Sequence, residues 1–368
     1  MVELKKILES KKIIMGIAII MIMIFHCNLP DLNVNIIKSN LFIGVDIFLF
    51  VSGLGIAQSL KKSKSIKQFY KRRFMRIVPI TIPLIIILGY LMLLYDTEFT
   101  ITDFYHHSFF IHLFLWSGKN PTFLWYLPAI LIYYFLSPIV YNFYTKRNDK
   151  IKATIIILIV ILLTTIITLP PGILNHFNFI TNRALIYFIG LLYGIRIIDN
   201  KNINIWELIF YISMSMLSLG IIVYTKYNSF TGSNLIKILS FIPITILICI
   251  TISYLFDYLK KKNSFVKGKI FEIMGSYTLI IYTTHEAFYT IVKAVCIHYN
   301  RFSSVINNAY IYSLFIAVFT IVFSIIYTKI YNLVISDTIR WKITLLNRFF
   351  NFILFYTINH TWYNVINV

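Results

Sequence analysis

Acidic residues are scarce in this sequence. Only 14 of its 368 residues are Asp or Glu, against 34 Lys and Arg, which gives a formal net charge of +20. All charged residues together make up 13% of the chain, whereas an ordinary soluble domain has roughly 25%. Hydrophobic residues make up 58%. This composition excludes a typical soluble domain and predicts a protein that crosses the membrane several times.

Cysteine and the common catalytic motifs are scarce or missing as well. The three cysteines lie singly, so neither a disulfide framework nor a structural zinc site of paired cysteines is expected. The sequence has no P-loop, no G-x-S-x-G, no H-E-x-x-H and no G-x-G-x-x-G followed by a strand. We therefore expect no metal cofactor, and the chemistry has to be sought elsewhere.

The excess of cations would suggest a nucleic-acid partner on a soluble protein. Here the Lys and Arg residues fall between long apolar segments, where they set the orientation of the chain and meet anionic lipid headgroups. We expect the lipid bilayer as a partner and no nucleic acid.

Ten apolar segments have the length needed to cross a bilayer, which takes about 20 residues. They lie near residues 13 to 30, 41 to 60, 77 to 95, 124 to 144, 152 to 170, 183 to 198, 206 to 224, 235 to 256, 271 to 293 and 309 to 334. The sequence thus predicts an all-α integral membrane protein with about ten transmembrane helices.

The loops after the even-numbered segments are basic, as cytoplasmic loops usually are. The run from Lys61 to Arg76 follows the second segment, and Lys260 to Lys262 follow the eighth. The opposite loops are poor in cations. Both termini are therefore predicted to be cytoplasmic, in a multi-pass protein of the plasma membrane of bacterial type.

Two stretches are predicted to lie at the membrane surface. Residues 104 to 116, with His106, His107 and His112, are apolar but too short to span. Residues 336 to 368 form a basic, aromatic tail suited to the inner leaflet. The predicted division is a membrane domain over 1 to 335 followed by this tail.

A histidine and an aspartate in the first two segments form the first candidate site. His26 and Asp46 are each about five positions from the expected outer boundary, so we expect them to meet. A carboxylate that accepts from one imidazole nitrogen leaves the other nitrogen free to act as a base towards a hydroxyl. The alternative is structural: a buried histidine bonded to a carbonyl, and an aspartate that caps the second helix.

A pair of arginines forms the second candidate site. Arg73 and Arg76 are three positions apart, share a helix face and lie among apolar residues. Two guanidinium groups at the inner surface suit the phosphates of a nucleotide-like donor. Ordinary cytoplasmic charge is the alternative explanation.

The third candidate site is polar and lies in the ninth segment and at the start of the fourth. Tyr282, His285 and Glu286 are costly to insert into lipid and should face the bundle interior, where they would line an acceptor cleft. Alternatively, Tyr282 and His285 bond to each other. Trp125 and Tyr126 could stack on a sugar, or belong to the aromatic belt at the interface.

These motifs together resemble the acyltransferase 3 family of integral membrane acyltransferases. The resemblance rests on Gly16 leading to His26, on the segment from Phe42 to Gly53 with Asp46, on the string from Arg72 to Pro79, on Trp125 to Pro128, and on Gly275 to His285. It covers about residues 10 to 335.

The resemblance implies ten spans, an acyl-CoA donor that is usually acetyl-CoA, and a sugar or other cell-envelope hydroxyl as acceptor. The family's motif also has a basic residue before the histidine, at the position of Met15 in this sequence. Lys12 is one turn before Met15 and could replace it, beside Arg73 and Arg76, in binding the donor.

The predicted function is O-acyl transfer from cytoplasmic acyl-CoA to a surface polysaccharide or a lipid-linked sugar. In this prediction His26 is the base and Asp46 is its partner. The alternative, from another class, is a transporter or flippase of a glycan or lipid intermediate, which would use the same buried polar residues without acyl chemistry.

Overall fold

The computed structural model describes residues 2–27, 37–95, 125–167, 178–228, 233–262, 266–298 and 308–334. Nearly all of this part of the chain is helical. Its one β pairing is an isolated bridge between Val2 and Ile203. The regions 104–116 and 336–368, predicted to lie at the membrane surface, fall outside the described residues.

Twelve helices are found within these ranges. They are α1 (Lys5–Glu9), α2 (Lys11–His26), α3 (Ile43–Lys62), α4 (Ile66–Tyr95), α5 (Tyr126–Lys146), α6 (Lys150–Ile167), α7 (Asn178–Ile198), α8 (Ile205–Tyr227), α9 (Ser233–Lys261), α10 (Val266–Ser276), α11 (Thr278–His298) and α12 (Ala309–Val334).

Each of the ten predicted segments overlaps at least one helix of the described residues. The all-α membrane fold is thus confirmed. Eight helices in the described part, α3 to α9 and α12, are long and apolar enough to cross a membrane. Of the other two segments, α2 has only 16 residues, and α11 contains the polar residues His285, Glu286 and Lys293. The number of spans and the side on which the termini lie stay predictions.

The ninth segment is broken at Tyr277, which separates α10 from α11. Gly275, Ser276 and Thr278 around the break are all weaker helix formers than alanine or leucine. The position of the break also brings α10 against α2. A Cβ on Gly275 would lie 1.7 Å from the Lys12 carbonyl oxygen, and one on Gly16 would lie 2.0 Å from that of Phe271. These two glycines allow the two backbones to touch.

Helices α3 and α7 touch in the same way. A Cβ on Gly53 would lie 2.2 Å from the Tyr187 carbonyl oxygen, and one on Gly190 would lie 2.2 Å from that of Phe50. Small residues at a membrane helix interface allow close packing where no hydrophobic effect drives association. Helix α3 is therefore held tightly in the bundle, with 13 of its 20 residues buried.

The short helix α1 lies outside the membrane-spanning segments and packs against the end of α9. Leu4 and Ile7 are fully buried, and removing each from water contributes roughly 1.5–3 kcal/mol. Lys6 donates to Asp257 at 3.0 Å, and this hydrogen bond raises the pKa of Lys6 above its ordinary value. The contact holds the start of α2 in place.

The chain divides into two compact units, residues 1–321 and 322–368, with the division inside α12. The first unit contains all the predicted site residues. In the second, Phe323, Tyr327 and Tyr331 stack along one face of the helix.

Candidate active site

His26 lies at the last turn of α2, where the helix ends. Its Nδ1 atom is 3.5 Å from Oε2 of Glu286, and its ring centroid is 5.0 Å from that of His285. One third of the His26 side chain is exposed, as is one third of Glu286 (33% and 34%). The imidazole is thus held by α11 on one side and accessible on the other.

His285 is buried, with 4% of its surface exposed. Its Nδ1 atom is 2.8 Å from the Tyr282 carbonyl oxygen and 3.2 Å from that of Ile281. A carbonyl only accepts, so Nδ1 carries the proton and Nε2 is left as an acceptor. Among the described residues Nε2 has no hydrogen-bond partner. His285 thus bonds to Tyr282, as the alternative interpretation of the sequence had it, through the Tyr282 backbone carbonyl.

His26, His285 and Glu286 form one cluster. One ligand-type atom from each lies within 4.8 Å of the others. Two imidazoles and a carboxylate also form a known ligand set for zinc, and the expectation that the protein uses no metal stays a prediction. The sequence identified all three residues but assigned His285 and Glu286 to the acceptor cleft, and it did not place them at His26.

Asp46 has a different partner from the one predicted. Its Oδ1 accepts from Nη1 of Arg183 at 2.8 Å, and the two side chains are 2% and 8% exposed. His26 is paired with Glu286 instead, so the predicted contact between His26 and Asp46 is wrong. A guanidinium binds a carboxylate more strongly than a neutral imidazole does, because the hydrogen bond joins two charges.

Sequence reasoning missed Arg183 although a signal was available. It is the first residue of the sixth predicted segment, where a cation needs a partner or a function. Its guanidinium lies 5.1 Å from the Phe42 ring centroid and 5.3 Å from that of Trp125. Trp125, predicted to stack on a sugar, thus lies against Arg183.

A cavity of about 80 Å³, large enough for several waters, lies beside Arg73 and Arg76. Lys11 is its third cationic residue. Met15, Ser52, Tyr126, Tyr134 and Tyr282 also line it. The two predicted arginines therefore share one cavity, and Arg73 Nε is buried there with no hydrogen-bond partner in the described ranges.

The lysine at this cavity is Lys11, where the sequence predicted Lys12. Lys12 is exposed, does not line the cavity and has its carbonyl against Gly275. Successive side chains of an α-helix are about 100° apart around the helix axis, since a turn takes 3.6 residues. The close packing of α2 on α10 therefore directs Lys12 away from the arginines and Lys11 towards them.

A line of ring contacts joins this cavity to His26. Tyr126 and Tyr282 are buried in its wall with centroids 5.1 Å apart, and Tyr282 is 5.7 Å from His285. His285 in turn is next to His26. Tyr126 and Tyr282, predicted to bind the acceptor, thus lie between the cationic cavity and the histidine cluster.

Comparison with known proteins identifies the family of this chain. Residues 13–329 match the family described as an acyltransferase domain, acyltransferase 3. No curated protein and no solved structure was found to match. The match covers most of the chain and begins just after Lys11 and Lys12, so that it includes all the other candidate residues. The match shows that the chain, a bundle of apolar helices with a cationic cavity and a histidine cluster, is a membrane acyltransferase and belongs to the acyltransferase 3 family.

Proposed function

We propose that this protein transfers an acyl group, most simply acetyl, from cytoplasmic acyl-CoA to a hydroxyl of a surface polysaccharide or lipid-linked sugar. The observation that carries the proposal is a cavity with three cations whose lining Tyr282 packs against His285, which in turn contacts the partly exposed His26. The plasma membrane is the location that this function requires.

The cationic cavity suits the donor. CoA carries several phosphate charges, and arginine forks bind phosphate oxygens two at a time. Lys11 and His26 are 15 residues apart on α2, or about 22 Å at 1.5 Å per residue. This length is comparable to the extended pantetheine arm of CoA, so phosphates held at Lys11, Arg73 and Arg76 would present the thioester near His26.

The histidine cluster suits the chemical step. With its Nδ1 proton directed to Glu286, His26 keeps Nε2 as a base. His26 removes the proton of the acceptor hydroxyl, whose oxygen attacks the thioester carbonyl carbon. The new C–O bond forms, the C–S bond breaks, and the CoA thiolate takes up a proton as it leaves. The 3.5 Å separation from Glu286 is long for a hydrogen bond, as is common without substrate.

Asp46 has a supporting role in this proposal. Its pair with Arg183 holds α3 and α7 together beside Trp125, and Glu286 takes the role of partner to His26. The acceptor would reach His26 from the side that the charge pattern assigns to the exterior, past Trp125 and Glu286. The acyl group then crosses the membrane while CoA stays inside.

Transfer of label from acetyl-CoA tests the proposal. Membranes that contain the protein should consume radiolabelled acetyl-CoA and incorporate the label into envelope glycans or lipid-linked sugars. Membranes with an equal amount of the His26→Ala protein should not. Translocation of a glycan without any use of acetyl-CoA would favour the transporter alternative instead.

A further inference from the structure

Three cations gather at the end of the bundle that the charge pattern assigns to the exterior. Membrane proteins place few Lys and Arg residues on that side, so a cluster there calls for an explanation. Lys237 Nζ lies 5.2 Å from the Phe42 ring centroid, and the Arg183 guanidinium lies 5.1 Å from it. The third cation, Lys38, is in the turn just before Phe42, where its carbonyl oxygen accepts from the Leu41 amide at 3.0 Å.

Two of these charges have no counter-ion among the described residues. Asp46 neutralises Arg183, whereas no carboxylate in the described ranges forms an ion pair with Lys38 or Lys237. Both lysines are only partly exposed. A partly desolvated cation that no carboxylate of the described ranges neutralises is costly in this environment, and an anionic ligand would lower that cost.

The cations are next to the reaction centre. Phe42 contacts Phe25, with centroids 5.9 Å apart, and Phe25 contacts His26 at 4.9 Å. Two ring contacts therefore separate the Phe42 cations from the proposed base. A group bound at Lys237 and Lys38 would belong to the same molecule as the hydroxyl presented to His26.

We infer that the acceptor is an anion: a glycan or lipid-linked sugar that carries a carboxylate or a phosphate, bound by Lys237 and Lys38. This inference rests on the proposed acyl transfer and names the class of its acceptor. A neutral sugar would leave both lysines uncompensated, whereas an anion gains from the low dielectric around them. The same field would attract an anion to the site from outside.

Separation by charge tests the inference and does not require the acceptor to be identified first. The protein is reconstituted in phosphatidylcholine vesicles that carry no net charge, with radiolabelled acetyl-CoA sealed inside and an envelope extract from cells that make the protein added outside. The glycans are then separated on an anion-exchange column. We expect the label in the retained, anionic fraction. Label in the neutral fraction would overturn the inference and leave the proposed function standing, whereas no label in either would count against the proposed function itself.

A chemical treatment of the extract distinguishes the two kinds of anion. Amidation with a carbodiimide and a neutral amine removes carboxylate charges but leaves phosphodiesters intact. Loss of labelling after amidation identifies a carboxylate, and unchanged labelling identifies a phosphate. Either result supports an anionic acceptor once the label has been found in the retained fraction.

A set of variants connects the anion to Lys237. In Lys237→Met we expect the KM for the labelled anionic acceptor to rise by about five- to tenfold, as for a partly buried ion pair, while the KM for acetyl-CoA stays unchanged. Lys237→Arg should restore most of the affinity. Lys293→Met is the control, because Lys293 is an exposed lysine on α11 that makes no cation–π contact with Phe42 in the described structure.

Two results would contradict the assignment of Lys237. One is an acceptor KM that Lys237→Met leaves unchanged, which would mean that the lysine serves lipid headgroups or the fold. The other is a rise of the same size in Lys293→Met, which would reflect the surface potential as a whole. Raising the salt concentration provides an independent readout, since it should weaken the acceptor in the wild type more than in Lys237→Met.

Discussion

At the scale of single residues, His26 is held by Glu286 and His285 from one helix. A placed base typically contributes ~10²- to 10⁴-fold to a rate. We therefore expect His26→Ala to lose most acyl transfer, and Glu286→Gln to lose less, because an amide can still accept from the imidazole but offers no charge to the imidazolium. The measurement is kcat for labelled acetyl transfer at equal amounts of folded protein.

The double variant tests whether the two residues act as a unit. If they do, His26→Ala with Glu286→Gln should be little worse than His26→Ala alone, because coupled catalytic residues are strongly non-additive. Full activity in His26→Ala would reject His26 as the base. Losses that simply multiply would show that Glu286 acts independently, for example on the acceptor.

A second residue-scale prediction separates the two neighbouring lysines of α2. Lys11 lines the cavity with Arg73 and Arg76, whereas Lys12 does not. We expect Lys11→Met to raise the KM for acetyl-CoA by about tenfold, the effect of losing one charge-assisted contact of roughly 1.4 kcal/mol. Lys12→Met is the matched control and should change it little. A larger rise of this KM in Lys12→Met than in Lys11→Met would mean that Lys12 makes the donor contact instead.

Arg76→Lys is a finer probe of the same cavity. It keeps the charge but loses the guanidinium fork, so binding of acyl-CoA should weaken while the protein still folds. The affinity is measured directly by titration calorimetry in detergent. A matching loss of folded protein would show that Arg76 is structural.

The sequence singled out the polar residues inside the bundle but did not predict all of their neighbours. His26, Asp46, Arg73, Arg76, His285 and Glu286 are recognisable because polar groups in lipid-length segments are costly. Their pairing depends on how each helix is rotated about its axis, and a step of one residue changes the direction of a side chain by about 100°. The Arg183 partner of Asp46 and the place of Lys11 are both consequences of that rotation, which the tight helix contacts determine.

At the scale of helices, the contact of α2 with α10 depends on Gly275. A Cβ there would be 1.7 Å from the Lys12 carbonyl oxygen, so Gly275→Ala must push the two backbones apart. Overpacking of this kind costs typically 1–3 kcal/mol. We expect the variant to lose its fold at a lower temperature in detergent, together with activity, because α2 carries both Lys11 and His26.

Gly220→Ala is the control for this prediction. Gly220 is also helical, but a Cβ there would meet nothing within 4 Å. Alanine favours the helix by about 0.5–1 kcal/mol, so this variant should be as stable as the wild type or slightly more so. Equal losses in both variants would mean that the α2–α10 contact is not the cause of the loss in Gly275→Ala.

The pair of Asp46 and Arg183 connects α3 to α7 and is almost completely buried. Removing one member leaves an uncompensated charge, at a cost of about 3–5 kcal/mol, whereas replacing both by apolar residues is often nearly neutral. We expect Asp46→Asn and Arg183→Met each to lower the thermal stability in detergent, and Asp46→Leu with Arg183→Met to recover much of it. A double variant as unstable as the sum of the single variants would argue that the two residues are not a pair.

The positions of the helices followed the hydrophobic pattern, whereas the start of α4 at Ile66, before the predicted segment 77 to 95, and the break in the ninth segment did not. The ten segments coincide with helices because about 20 apolar residues are needed to cross the bilayer. The break at Tyr277 arises where Gly275 meets α2, a contact between residues far apart in the chain. A pattern of apolar residues carries no information about such a contact.

At the scale of the whole molecule, the proposed reaction needs access to both sides of the membrane. Acyl-CoA is cytoplasmic, so the cavity of Lys11, Arg73 and Arg76 has to open inward, and His26 has to be reached from outside. The basic run from Lys61 to Arg76 and the lysines at the end of α9 support this orientation. Orientation is therefore the property on which both proposals depend.

Cysteine labelling on the hairpin of α8 and α9 tests the orientation. Asn228 and Lys262 are exposed positions at opposite ends of this hairpin, so a cysteine at each reports one side of the membrane. In a background with Cys27, Cys249 and Cys296 replaced, we expect an impermeant thiol reagent added to intact cells to label Asn228→Cys. It should label Lys262→Cys only after the membrane is made permeable, because the lysines beside it favour the cytoplasmic side. Labelling of Lys262→Cys in intact cells would invert the orientation, and the cationic cavity would then face a compartment without CoA.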